Sequence, residues 1–285
     1  MSLVALILII VSAFMHATWN FLAKRSDSGF VFVWLYLGVC SIFYAPFVIG
    51  LVIVENFTFG WIEVGFMAGS ALIHLVYALL LQKGYQVGEF SLIYPIARGT
   101  GPLLVAVAAI FIYNERLTLI GAIGIAFILF SIFLITGGFQ MLKNATLLPV
   151  GYGLMIGFMI AGYTLLDKGA VSAYAMSPLL LNYGSFLGQF LLLTPFAKKQ
   201  WGQVRETWKF HRKEAIGVGI LAPLAYMLVL TTMVFTPVSY VAPVREISIL
   251  IGAVMGAYLL KEGFGKRRII ASITMFIGVI IVALS

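Results

Sequence analysis

The chain has 285 residues, of which 62% are hydrophobic and only 10% charged, and it carries a formal net charge of +8. Soluble domains average roughly 45–50% apolar and about 25% charged residues, so this composition excludes a soluble globular protein and indicates a protein in lipid. A spanning helix takes about 20 residues, so up to ten helices fill the chain and leave no room for a folded soluble domain. The basic residues gather between apolar segments, which argues against nucleic acid as a partner, and the single cysteine, Cys40, excludes an internal disulfide.

Ten apolar segments of spanning length follow one another along the chain, and they predict an all-α polytopic membrane protein. The predicted helices cover residues 3–23, 30–54, 62–82, 90–112, 117–136, 148–166, 173–196, 215–235, 238–260 and 267–284. The first segment is interpreted as a retained helix and not as a signal peptide, because its basic residues, Lys24 and Arg25, follow the apolar stretch.

The distribution of positive charge predicts the orientation of these helices. The connections after helices one, three, five, seven and nine hold 14 of the 18 Lys and Arg residues. These are Lys24, Arg25, Lys83, Lys143, Lys198, Lys199, Arg205, Lys209, Arg212, Lys213, Lys261, Lys266, Arg267 and Arg268. By the positive-inside rule those connections are cytoplasmic and both termini lie outside.

The second half of the chain repeats polar residues of the first half. Arg98 and Glu115 recur as Arg245 and Glu262 at one shared offset of 147 residues. Further matches, at offsets of 144 to 149 residues, pair Pro95 with Pro243, Trp19 with Tyr163, Lys24 with Lys168, and Tyr77 with Tyr226. Chance likeness of apolar stretches is the alternative to a duplication. Repeats over residues 1–140 and 141–285 hold five spans each, and this odd number predicts that the second repeat is inverted relative to the first.

These segments resemble the EamA-type ten-helix transporters of the drug/metabolite transporter superfamily. The resemblance is carried by Ser91 through Arg98 to Glu115 in the first half, and by Ser239 through Pro243 to Glu262 and Gly278 in the second. His16, Ala17, Trp19 and Asn20 in the first helix add a further match. The resemblance implies a basket of ten helices around a central cavity that is lined mainly by helices one, three, four, six, eight and nine. It also implies export of amino acids or other small metabolites across the bacterial inner membrane.

Charged residues deep in the predicted spans indicate where cargo binds. Arg98 lies about eight residues into the fourth helix, roughly 12 Å along its axis and near the middle of the membrane. Arg245 has the equivalent place in the ninth helix, and Glu246 beside it is interpreted as the only acidic residue deep in a span. Two such arginines suit an anionic group such as a carboxylate or phosphate. The alternative is that one arginine pairs with Glu246 or with helix-end carbonyls and only locks the bundle.

A polar and aromatic stripe in the first helix extends this candidate site. His16 and Asn20 are four residues apart and share a helix face, with Trp19 adjoining. Side chains from other helices that are assigned to the same cavity wall are His74, Tyr77, Tyr94, Tyr163 and Tyr226. For the tyrosines the alternative is packing or a place in the interfacial belt. His16 or His74 is a candidate carrier of a coupled proton, and an interhelical hydrogen bond is the alternative role for each.

Prolines mark a possible gate in the same helices. Pro95 and Pro243 each remove a backbone donor, which predicts a bend or break near the candidate site, with a simple packing kink as the alternative. Glu246 is assigned to gating or coupling together with His74 and these two prolines. It is expected to compete with cargo for Arg245.

Glu115 and Glu262 sit at predicted helix ends beside Arg116 and Lys261. This neighbourhood predicts ion pairs at the membrane interface, and a gate or coupling role is the alternative.

Taken together, these features predict a secondary transporter that moves a small anionic or zwitterionic metabolite by alternating access. The chain has no Gly-x-Ser-x-Gly elbow, no phosphate-binding loop and no cluster of metal-ligating histidines, so neither an enzyme nor a cofactor is expected. A channel, receptor or scaffold is a further alternative. Proton-coupled efflux of cationic drugs is a weaker one, because the first helix lacks an acidic residue. The expected partners are a small-molecule cargo and the bilayer, while cargo identity, coupling ion and oligomeric state are not readable from the sequence.

Overall fold

In the computed structural model the regular structure is helical. The structure describes residues 1–26, 29–87, 90–136, 147–259 and 266–285, and no strand occurs within these ranges. The helices are α1 (Leu3–Lys24), α2 (Gly29–Val54), α3 (Trp61–Val87), α4 (Phe90–Ile112), α5 (Leu119–Thr136), α6 (Leu147–Ser172), α7 (Pro178–Lys199), α8 (Trp201–Phe235), α9 (Val238–Arg245), α10 (Ile247–Leu259) and α11 (Lys266–Leu284). The predicted all-α class is confirmed.

Helix length and surface composition are those of a polytopic membrane protein. Within the described ranges, α1, α2, α3, α6, α7 and α8 are each long and apolar enough to cross a membrane. Segments of α4, α5 and α11 form shorter apolar helices. Large apolar side chains such as Ile42 and Phe111 are each 78% exposed, which suits contact with lipid tails and not with water.

Two predicted helices differ from the observed ones. The ninth predicted helix, 238–260, is divided at Glu246 into α9 and α10. The eighth predicted helix, 215–235, starts earlier, because the basic stretch that the sequence suggested as a loop is helical from Trp201 onward.

The long helix α8 has a bend between its two parts. Its 35 residues correspond to about 52 Å, which exceeds the roughly 30 Å of the hydrocarbon core. His211 has non-helical angles, φ −123° and ψ 22°, and marks the kink. Before it, Val204 and Thr207 are buried while Trp208 is 40% exposed, so one face of this extension packs on the protein. An amphipathic, basic segment with exposed aromatic rings is typical of a helix at the membrane interface.

Helices of the first half pack mainly against helices of the second half. In the two halves α1, α2 and α3 correspond to α6, α7 and α8. The contact of α1 with α8 therefore has its counterpart in the contact of α6 with α3, and the contact of α2 with α8 has its counterpart in that of α7 with α3. The contact of α4 with α6 corresponds to that of α10 with α1. Equivalent helices also meet directly, as α2 with α7, α4 with α9, and α5 with α11. Exchanging the two halves therefore leaves this set of contacts unchanged.

Glycine permits the closest of these helix contacts. A Cβ atom on Gly124 of α5 would lie 2.9 Å from the backbone oxygen of Gly278 in α11, and one on Gly278 would lie 2.8 Å from that of Gly124. Both distances are shorter than van der Waals contact, and backbone atoms cannot move aside as a flexible side chain does. Small residues let membrane helices approach closely in this way, so α5 and α11 form a tightly joined pair.

Candidate transport site

The break between α9 and α10 places an acidic side chain inside the helix bundle. Glu246 ends α9, with its N–H directed at the carbonyl oxygens of Pro243 and Val244, and α10 begins at the next residue. Its side chain is completely buried. Pro243 lies within α9, three residues before this interruption.

The beginning of α9 is fixed by a residue from the other half of the chain. The carboxylate of Glu115 accepts hydrogen bonds from the backbone N–H groups of Val238 (2.8 Å) and Ser239 (2.9 Å). The first N–H groups of a helix lack partners within the helix, and a negative charge there also interacts favourably with the helix dipole. Glu115 is therefore a cap for α9, whereas Arg116, its predicted ion-pair partner, is exposed. Glu262, the repeat counterpart of Glu115, lies outside the described residues.

Arg98 and Glu246 form an ion pair that joins the two halves. Nη1 of Arg98 donates to Oε2 of Glu246 at 3.0 Å and to Oε1 at 3.2 Å. Nη2 of Arg98 lies 3.2 Å from Nε2 of His16. Because a guanidinium only donates, His16 must accept with Nε2 and carries its proton on Nδ1. His16 is thus a neutral interhelical partner in this arrangement, which is the alternative role given above.

Arg245 has buried nitrogen atoms whose hydrogen-bonding capacity is not used by the described residues. Its Nε lies 3.7 Å from Oε1 of Glu246, which is close enough for electrostatic attraction but too long for a hydrogen bond. Nε and Nη2 are buried, and neither has a hydrogen-bond partner among the described residues. The carboxylate of Glu246 is hydrogen-bonded to Arg98 instead. Glu246 thus contacts both arginines, Arg98 by hydrogen bonds and Arg245 by electrostatic attraction, and its competition with cargo stays a prediction.

Aromatic side chains from three helices form a cluster beside these charges. The ring of Tyr163 in α6 stacks on His74 of α3, with centroids 4.0 Å apart, and meets Tyr77 and Tyr226 edge-on at 5.9 and 6.2 Å. Nδ1 of His74 is 2.9 Å from the carbonyl oxygen of Ser70, to which it donates. Arg245 lies within electrostatic range of Tyr163 and Tyr226, so the aromatic and charged clusters adjoin.

Asp167 in α6 is a deep acidic residue that the sequence interpretation missed. Its side chain is completely buried, and its Oδ2 accepts a hydrogen bond of 2.6 Å from the hydroxyl of Tyr226. The predicted sixth helix ends at residue 166, directly before Asp167 and Lys168. The apolar residues that follow up to Val171 are the signal that could have extended it. Glu246 is therefore not the only acidic residue deep in a span.

The neighbouring Lys168 has a structural role. Its Nζ donates to the carbonyl oxygens of Met233 (2.6 Å) and Thr236 (3.2 Å) at the end of α8. A cation at a helix C-terminus satisfies carbonyl groups that lack partners and complements the helix dipole.

Residues 147–284 match the EamA-like transporter family. The match covers the second half of the chain, which is therefore similar to this family. Proteins of this kind are transporters and not enzymes, and the family is a family of the drug/metabolite transporter superfamily. The predicted resemblance and the integral membrane character are confirmed by this match.

Solved structures share the fold of the whole chain. One of them, described only as the crystal structure of a protein, has a TM-score of 0.75 and covers 98% of this chain and 98% of its own. The sequence identity is 12%, so the likeness shows the fold alone. No curated protein matches the sequence of the chain significantly.

Other predicted site residues of this EamA-like protein differ in their placement. Trp19 meets His16 edge-on at a centroid distance of 4.9 Å. Asn20 is exposed and donates to the carbonyl oxygen of His16 in its own helix, and no contact joins it to either cluster within the described part of the chain. Tyr94 lies on α4, four residues before Arg98, and its side chain lies outside the described part of the structure. At Pro95 the chain does not break, because α4 continues without interruption from Phe90 to Ile112, and a bend at this residue stays a prediction.

Proposed function

We propose that this EamA-like protein is a secondary transporter that moves a small organic metabolite with an anionic group across the membrane by alternating access. The cargo is an amino acid or another anionic or zwitterionic solute, and the protein exports it across a bacterial inner membrane. The observation that carries the proposal is the buried guanidinium of Arg245, two of whose nitrogens have no hydrogen-bond partner within the described residues.

The charge balance around Arg245 favours an anion. Arg98 and Arg245 supply two positive charges, whereas Glu246 supplies one negative charge and is hydrogen-bonded to Arg98. Buried donors without partners are costly, and a guanidinium at the protein interior is normally paired. A cargo carboxylate or phosphate that accepts from Nε and Nη2 of Arg245 would supply the missing partner through a forked hydrogen bond.

The ion pair between Arg98 and Glu246 supports a resetting step. Arg98 lies on α4 of the first half, whereas Glu246 lies at the break between α9 and α10 of the second half. In the empty carrier this pair holds the halves together. A bound anion attracts both arginines and loosens the pair, which lets the halves rock. The exchange symmetry of the helix contacts supports the inverted repeats on which such rocking depends.

One observation favours a second function, the efflux of organic cations. The buried carboxylate of Asp167 lies beside the aromatic rings of Tyr163 and Tyr226, and aromatic faces with a carboxylate are a common setting for a cationic group. The two guanidinium groups close by disfavour this alternative, since they repel a cation.

A thermal-unfolding screen of the purified protein tests the anion site, because binding to the native state raises its stability. The probes are lactate, L-alanine, L-glutamate and glycerol 3-phosphate, with tetraphenylphosphonium as the organic cation. We expect one or more of the anionic or zwitterionic probes to stabilise the wild type, and Arg245→Gln to abolish that stabilisation.

The matched control for this screen is Arg116→Gln, which removes an exposed arginine and should leave the response unchanged. Stabilisation by tetraphenylphosphonium alone would favour the second function. An equal response of wild type and Arg245→Gln would refute the arginine-centred site.

A further inference from the structure

Asp167 is a buried carboxyl group that the arginine-centred site leaves without a role. It is 0% exposed within α6, and only its Oδ2 accepts a hydrogen bond, from the hydroxyl of Tyr226. The hydroxyl of Ser70 lies near it but donates to the hydroxyl of Ser185, so Oδ1 has no hydrogen-bond partner in the described part of the chain. An ionised carboxylate with a single donor is costly in such surroundings, and a proton bound to Oδ1 removes the charge that burial penalises.

The neighbours of Asp167 hold one fixed charge. The groups that face it are Ser70 of α3 with His74 hydrogen-bonded behind it, Tyr113 at the end of α4, Tyr226 of α8 and Arg245 of α9. On α7, Ser185 continues the hydrogen-bond chain from Ser70. On α6 itself, Lys168 is directed away toward the end of α8. Among the neighbours just named, Arg245 is therefore the group that is permanently charged and lies within electrostatic range of this carboxyl group.

We propose that Asp167 is the proton-binding site of the carrier and that its protonation favours binding of the cargo's anionic group at Arg245. With Asp167 ionised, its charge and that of Glu246 together balance Arg98 and Arg245. With Asp167 protonated, the same four groups have a net charge of +1, and the neutral His16 adds no charge. The more positive site binds an anion more tightly, and by thermodynamic reciprocity a bound anion strengthens proton binding by the same factor. The inference rests on the proposed function, since it couples binding of the proton to binding of an anionic cargo.

A proton fits this position better than a larger cation. Oδ1 of Asp167 is buried and out of reach of water, and a proton requires no additional volume there. A metal ion requires several oxygen ligands, and the described residues contain no cluster of three or more acidic, histidine or cysteine side chains that could hold one. Thr164, one helical turn away, adds only a single buried oxygen that also has no partner among those residues.

The position of Asp167 also lets it exchange its proton during the transport cycle. Tyr226 belongs to the second half of the chain, like Asp167, whereas Ser70 belongs to the first half. Rocking of the halves keeps the hydrogen bond from Tyr226 and separates Asp167 from Ser70. Water then reaches Oδ1 and takes or supplies the proton. An anion produced inside the cell would leave together with its proton whenever the combined gradients point outward.

Infrared spectroscopy of the purified protein tests the proton site without any cargo. We expect a carboxylic acid C=O band in the wild type that titrates with pH and is missing in Asp167→Asn, while exposed Glu206→Gln retains it. Tyr226→Phe should retain the band but shift it, because the hydrogen bond to the carboxyl group is lost. A spectrum of Asp167→Asn that equals the wild type would overturn the proposal, and so would an unshifted band in Tyr226→Phe. The second variant keeps the test decisive if Asp167→Asn does not fold.

The coupling is tested with the strongest of the four anionic and zwitterionic probes, whose affinity is measured at pH 6 and pH 8. We expect the affinity of the wild type to rise at least about fivefold on acidification. Asp167→Asn should still bind the probe but lack this increase, and in proteoliposomes it should exchange the probe without accumulating it under a proton gradient. An increase that persists in Asp167→Asn, or one that follows Na⁺ instead of pH, would overturn the proposal.

The two proposals fail in different ways. If no anionic or zwitterionic probe binds, or if Arg245→Gln binds as the wild type does, the proposed function fails. If the probes bind through Arg245 and the infrared band or the pH response is independent of Asp167, only the proton site fails.

Discussion

The cap that Glu115 provides for α9 gives a sharp test of the structure. Replacing Glu115 by Ala removes the acceptor of two backbone N–H groups, those of Val238 and Ser239, at 2.8 and 2.9 Å. Hydrogen bonds to a charged group contribute about 1.5–3 kcal/mol each. Glu115 is only partly buried, so water replaces part of the loss and the lower value applies to both bonds. We therefore expect Glu115→Ala to lower the free energy of unfolding by about 3 kcal/mol.

The assay is thermal unfolding in detergent, where about 3 kcal/mol corresponds to a fall in Tm of roughly 6–12 °C for a chain of this size. Glu115→Gln retains one acceptor oxygen without the charge and should lose about half as much. Arg116→Ala is the matched control, since the sequence predicted an ion pair between Glu115 and Arg116. Equal losses in Glu115→Ala and Arg116→Ala would show that the ion pair matters and that the cap does not.

The same residue positions part of the candidate site. Helix α9 has only eight residues, and Arg245 is the last of them. A short helix depends on its ends more than a long one does, because few of its N–H groups have partners inside the helix. Glu115→Ala should consequently weaken probe binding at Arg245 as well as stability, although residue 115 does not touch the site.

Two further predictions concern helix contacts and the ion pair. Gly124→Ala places a methyl group 2.9 Å from a backbone oxygen in α11 and should lower the free energy of unfolding by roughly 2 kcal/mol. The control is Gly151→Ala, which has open space around its Cβ and should be neutral or stabilising. Similar effects at both positions would contradict the close contact. Glu246→Gln leaves Arg98 with a neutral partner in a buried place and should lower the stability of the empty carrier by about 3–5 kcal/mol. An anionic probe should restore more stability to this variant than to the wild type, and the absence of such a difference would contradict competition for Arg98.

The sequence predicted the class and most of the helices because these depend on composition and on local apolar runs. It also assigned Arg98, Arg245 and Glu246 to one site, because a charge deep in a span normally faces a wet cavity or a partner. It could not predict which arginine Glu246 binds, because that depends on the relative rotation of α4 and α9. The hydrogen bond joins residues 148 positions apart, so no local pattern records it.

The errors at helix boundaries have one physical origin. A charged residue ends an apolar segment where it reaches water, but it can lie within a helix where it finds a partner inside the bundle. Helix α6 extends through Lys168, whose ammonium group donates hydrogen bonds to two carbonyl groups at the end of α8. It also includes Asp167, whose carboxyl group accepts a hydrogen bond from Tyr226. The basic stretch before His211 is likewise helical where the sequence suggests a loop, and one face of this stretch packs on the protein.

Incomplete satisfaction of polar groups distinguishes the candidate site from the rest of the bundle. In lipid, a buried polar group needs a partner inside the protein, and several buried side chains find one in a backbone carbonyl of another helix. Such pairs are Ser12 with Ala225, Ser131 with Ala271, and Asn182 with Pro223. Arg245 and Asp167, by contrast, retain buried nitrogen or oxygen atoms without a partner among the described residues. Single buried atoms of Trp19, Thr164 and Ser239 also lack a partner there. Arg245 and Asp167 differ from these because their side chains are ionisable, so an anion bound at Arg245 and a proton bound at Asp167 would remove the local cost.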